Sequence, residues 1–117
     1  MKQAVQDLFE RRQPLAGLAA WCVRQADRTS FSHCYTEWFT ATQLERALHR
    51  MTAGIQSLGG LDMNPEFLCW IFDRARVYLA VRPDGATLAL FAENRPGLPA
   101  AEFDSVLKEF IDLTPPR

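Results

Sequence analysis

The chain has 117 residues, 48% of them hydrophobic and 23% charged, enough for one ordinary hydrophobic core and too few for two. We therefore expect a single domain over residues 1–117. Thirteen basic against fourteen acidic side chains leave a net charge of −1, without the basic stripe that nucleic acid or an anionic lipid surface demands, so neither is expected as a partner.

In chain order, Val5, Leu8 and Phe9 share one face at helical spacing and Pro14 ends the run, which predicts an amphipathic helix over residues 2–12. Residues 15–23 are almost all apolar and follow Pro14 and Gly17, reading as a strand buried on both faces. After a break at Ala26-Asp27-Arg28, residues 29–38 alternate. Ser30, Ser32, Cys34 and Thr36 fall on one side and Phe31, His33 and Tyr35 on the other, so a two-stranded hairpin follows. Thr42 and Glu45 have capping-box spacing. From there Leu44, Ala47, Leu48, Met51, Ile55 and Leu58 carry a helical stripe that Gly59-Gly60 ends. Asp62-Met63-Asn64-Pro65 reads as a loop, and residues 67–72 form a continuous aromatic and apolar strand. Asp73-Arg74-Ala75-Arg76 reads as a turn. Residues 77–82 and 87–92 flank Pro83-Asp84-Gly85 as a hairpin. Pro99 suits the first position of a last helix carrying Phe103, Val106, Leu107, Phe110 and Ile111, and Pro115-Pro116 closes it.

The order helix, two strands, helix, three strands, helix gives an α+β fold: a five-stranded, mainly antiparallel sheet with helices covering both faces. No run approaches the roughly 18 apolar residues of a membrane span, and residues 1–7 lack the apolar core of a signal peptide. Cys22, Cys34 and Cys69 are odd in number and widely spaced, with only His33 and His49 as imidazoles. Neither a disulfide framework nor a metal site is expected, and a reducing cytoplasm is the expected compartment.

Few residues suggest catalysis. His33 and Cys34 are adjacent, but neighbours on a strand point to opposite faces, so the imidazole cannot activate that thiol. His49 follows Glu45 by one helical turn, the spacing of a solvated i,i+4 pair. Asp62, Glu66 and Asp73 are scattered through loops, Arg74 and Arg76 read as a solvated corner, and no glycine-rich phosphate loop is present. We expect neither a catalytic constellation nor a cofactor.

Aromatic surplus is the unusual feature. Trp38 and Phe39 precede the middle helix, while Phe67, Trp70 and Phe72 crowd a six-residue strand that is apolar on both faces. Either the protomer covers both faces or a partner covers one. An edge strand of this kind recruits another chain, and two-fold pairing with itself is the simplest closure.

The apolar strand at 15–23, the helix at 42–58 and the hairpin spanning 77–90 together resemble the roadblock/dynein light chain family, within the longin and profilin-like folds. Ala26-Asp27-Arg28-Thr29 departs from that family's frequent Asp-x-x-Gly turn, having no glycine. The resemblance implies a non-catalytic dimeric scaffold that regulates or recruits a small Ras-like GTPase. It also implies a dimer strand at 67–72 and a dimer helix at 42–58. The candidate interface residues are Phe67, Cys69, Trp70, Phe72, Leu48, Met51, Ile55, Trp38 and Phe39. Two other readings fit a small α+β protein: a profilin-like or PAS-like sensor enclosing a small molecule among aromatic side chains, and a secretion-chaperone-like dimer, which would need three strands before the middle helix.

Overall fold

The computed structural model describes residues 1–37, 39–59, 67–71 and 74–113. Its elements run α1 (Lys2–Arg12), β1 (Leu18–Arg24), β2 (Ser30–Cys34), α2 (Ala41–Gly59), β3 (Phe67–Ile71), β4 (Ala75–Val81), β5 (Thr87–Glu93) and α3 (Ala100–Asp112). This is the expected order, with two strands before the middle helix. The strands form one antiparallel sheet in the order β2-β1-β5-β4-β3. β5 is central, and α2 carries the chain from one edge of the sheet to the other.

Strand alternation divides the core into two layers. Trp21, Val23, Tyr78, Ala80, Leu88 and Leu90 face α1 and α3, which contribute Val5, Leu8, Phe9, Phe103, Val106, Leu107 and Phe110. Ala20, Cys22, Val77, Leu79, Ala89 and Phe91 face α2, which contributes Leu44, Leu48 and Met51. β1, β4 and β5 are therefore apolar at consecutive positions, because helices cover both of their faces. Each fully buried large side chain contributes about 1.5–3 kcal/mol to this packing. On the far side, Glu109 of α3 takes Arg11 at 3.1 Å and Arg12 at 2.8 Å, tying it to the last turn of α1.

Several boundaries differ from those expected. β1 begins at Leu18 rather than at residue 15, because Gly17 has φ +83° and Leu18 N–H donates back to Leu15 O, making a turn before the strand. β2 ends at Cys34, well short of residue 38. The capping box is Thr40 with Gln43, not Thr42 with Glu45. The Gln43 N–H donates to Thr40 Oγ1 at 3.2 Å, and the Gln43 side chain accepts from the Thr40 N–H at 2.9 Å. β4 begins at Ala75, so Ala75 and Arg76 belong to a strand rather than a turn, and Arg76 Nε donates to Asn94 Oδ1 at 2.9 Å. Pro99 is the N-cap of α3 rather than its first residue. The expected features at Trp38, Gly60, residues 62–66, Phe72, Asp73 and Pro115-Pro116 lie outside the described residues.

Candidate functional site

β3 is an outer strand of the sheet: one of its edges pairs with β4, from Phe67 opposite Ala80 to Ile71 opposite Arg76. No other strand among the described residues pairs with its second edge. The N–H and C=O groups on such an edge are the template on which another strand can add.

Alternation gives β3 two unlike faces. Leu68 and Trp70 are half-buried and pack into the α2-side core. Phe67, Cys69 and Ile71 point to the opposite side, where α3 lies over β4 and β5. Phe67 is 39% exposed and Ile71 is 67% exposed, so the protomer covers one face of this strand and leaves an apolar stripe on the other. Partial burial pushes the Cys69 thiol up from its ordinary value, opposed by the Arg76 guanidinium and reinforced by Asp104.

The remaining candidates fall elsewhere. Leu48 and Met51 are buried against the sheet, and Ile55 is half-buried in the same layer. The apolar stripe of α2 that carries these three interface candidates packs against the sheet within the protomer. Phe39 also turns inward, its ring 5.6 Å from that of Phe91. Trp38 and Phe72 lie outside the described residues. Sequence reasoning passed over Ile71, the most exposed large apolar side chain described. The signal was present in the sequence, since the alternation that links Phe67 and Cys69 places Ile71 on the same face.

The side chains with reactive or titratable groups are dispersed. His33 lies among aromatic rings, 4.6 Å from Tyr35, while Cys34 faces the α2 layer, so the pair diverges. Burial pushes the Cys22 thiol up to about 12, with Glu45 and Cys34 adding to the shift, which leaves it an inert thiol. His49 does not pair with Glu45 as expected. Its Nδ1 accepts from Arg24 Nη1 at 2.6 Å, because α2 crosses β1 at that point.

Solved structures repeat this arrangement of sheet and helices. Myxococcus xanthus MglB superposes with a TM-score of 0.70 at 13% identity, over 92% of this chain and 92% of that one. An MglB in a tetrameric arrangement gives 0.70 at 12% identity, over 94% of this chain and 84% of that one. A Roadblock/LC7 domain from Streptomyces avermitilis gives 0.62 at 15% identity, over 93% and 92%.

This chain has the roadblock/LC7 fold. No protein-family model and no curated protein matches the sequence. At such low identity the roadblock/LC7 fold is carried by the pattern of buried positions and the order of elements, which tolerate wide exchange of apolar residues. Within it, β3 is an edge strand and α2 spans the sheet from β2 toward β3. No helix among the described residues is long and apolar enough to cross a membrane.

Proposed function

We propose that this chain is a non-catalytic interaction scaffold, a single roadblock-like domain working in the cytoplasm. Two copies join through β3, and the paired sheets and helices form a surface for a small Ras-like GTPase or a related signalling protein. The observation that carries this reading is the edge of β3 that no other described strand pairs, with Phe67 and Ile71 exposed beside it. An unpaired edge flanked by apolar side chains is a liability in an isolated protein and an advantage in an assembling one.

The likeness to an MglB in a tetrameric arrangement supports self-association. The resemblance to the roadblock/dynein light chain family, whose members characteristically regulate small GTPases, supports the class of partner. Pairing two β3 strands antiparallel about a central two-fold axis would set Cys69 against its own counterpart and Phe67 against the counterpart of Ile71. Each of the three side chains of the stripe then has a cross-strand neighbour on the same face.

The test is affinity capture from host lysate with the wild type and with Ile71→Asp, the bound proteins being identified by mass spectrometry. The proposal expects a small GTPase with the wild type and its loss with the variant. Recovery of no GTPase with either form, while both remain folded, would contradict it.

A further inference from the structure

At the end of the sheet where β1 turns into β2, a group of cations stands apart from the β3 edge. Arg24 closes β1 on the α2 side, following the alternation of Ala20 and Cys22, and lies opposite Ser30 of β2. Above it, α2 supplies Glu45, His49, Thr52 and Gln56, and the β1–β2 loop supplies Arg28. Two adjoining clefts of about 190 and 170 Å³ are both bordered by Arg24, Arg28 and His49. A guanidinium can only donate, so in the 2.6 Å contact between Arg24 Nη1 and His49 Nδ1 the ring nitrogen accepts. Among the described residues, Arg11, Arg12, Arg82 and Arg95 are ion-paired, but neither Arg24 nor Arg28 reaches a carboxylate.

The backbone at Arg28 adds an independent observation. The chain contains two three-residue hairpin loops with the same bonding. In one, Gln25 N–H donates to Thr29 O at 2.8 Å, Arg28 N–H to Gln25 O at 2.9 Å, and Thr29 N–H to Asp27 Oδ1 at 2.9 Å. In the other, Arg82 N–H donates to Ala86 O at 2.8 Å, Gly85 N–H to Arg82 O at 2.9 Å, and Ala86 N–H to Asp84 Oδ1 at 2.9 Å. The third loop residue is left-handed in both, φ +92° at Gly85 and φ +72° at Arg28. Arg28 is the one non-glycine residue with positive φ among those described. Glycine is the unstrained residue at this position, so an arginine here holds its side chain at the cleft against a backbone penalty.

We propose that this cleft binds a phosphate-sized oxyanion carried by a small phosphorylated molecule. Arg24 and Arg28 clamp it from two elements, and the Ser30 hydroxyl supplies a neutral donor. One guanidinium fork satisfies a planar carboxylate, whereas two guanidiniums from separate directions suit the several oxygens of a phosphoryl group. The Thr52 hydroxyl donates to Leu48 O at 2.7 Å and so is not a donor to the anion. Glu45 borders one of the clefts, leaving the two guanidiniums in excess of a single carboxylate. A cleft of about 190 Å³ is smaller than the roughly 300 Å³ at which pockets for drug-sized ligands begin, so it holds the phosphoryl group and leaves the rest of the molecule outside.

The test is a titration followed by backbone amide NMR, using inorganic phosphate, glycerol phosphate, and chloride at matched ionic strength. The proposal expects saturable shifts grouped at Arg24, Arg28, Ser30 and His49 with both phosphates and none with chloride. Arg24→Gln should weaken binding about tenfold or more, the effect of losing a charge-assisted hydrogen bond. Arg28→Gly should weaken it similarly while raising the anion-free Tm by a few degrees, which separates loss of the site from loss of the fold. Shifts that chloride reproduces, failure of glycerol phosphate to bind, or affinities unchanged in both variants would overturn the proposal. The outcome is independent of whether β3 pairs.

Discussion

Cys22 is fully buried beneath α2, and its thiol is pushed up to about 12 from an ordinary value of 9.0, chiefly by burial. The folded state favours the neutral thiol, so this contribution to stability is complete below about pH 9 and is lost as pH rises toward about 12. The loss amounts to about 1.4 kcal/mol per pH unit within that window. Urea unfolding of wild type and Cys22→Ala at increasing alkaline pH should show the difference between them shrinking above about pH 9; parallel curves would argue against it. The two left-handed loop positions give a second prediction, of opposite sign at each. Arg28→Gly should stabilise the protein by about 1 kcal/mol, and Gly85→Ala should destabilise it by about 1 kcal/mol or more, both read from denaturant midpoints.

The start of α2 shows how much local chemistry was legible. Thr40, Thr42, Gln43 and Glu45 hold two overlapping capping-box patterns, and the sequence contains no rule for choosing between them. The backbone chooses the earlier one, because α2 begins at Ala41. Thr40→Ala should therefore cost about 1 kcal/mol, whereas Thr42→Ala, at an exposed position within the helix, should change stability by less than about 0.5 kcal/mol. Equal losses from the two changes would contradict this assignment. Strand character was legible wherever apolar runs met turn residues, as at Pro83-Asp84-Gly85. The end of β2 was not, because alternation, and one more backbone bond from Tyr35 N–H to Ala19 O at 2.8 Å, run past Cys34, the last residue in paired register. In β3 the composition announced an unusual strand, but only its position beyond α3 separates the covered pair, Leu68 and Trp70, from the open stripe at Phe67, Cys69 and Ile71.

For the whole molecule, the order of elements was readable because helical and strand periods are local, and so was the prospect of helices on both faces. Which strand lies at the edge was not, since β5 reaches the centre by pairing with β1 across most of the chain length. The Arg24–His49 contact was hidden for the same reason, as 25 residues separate its partners. The proposal that this chain is a self-pairing scaffold rests on the edge position of β3. Thiol cross-linking in a Cys34→Ser background tests it most directly, using a short bismaleimide and the exposed Cys69, with Cys22 kept inert by burial. In the centred antiparallel pairing the two Cys69 Cα atoms lie about 4.5–5.5 Å apart. A covalent dimer that forms at low protein concentration and disappears with Ile71→Asp is the expected result. A chain that stays monomeric while Cys69 is fully modified would contradict the account.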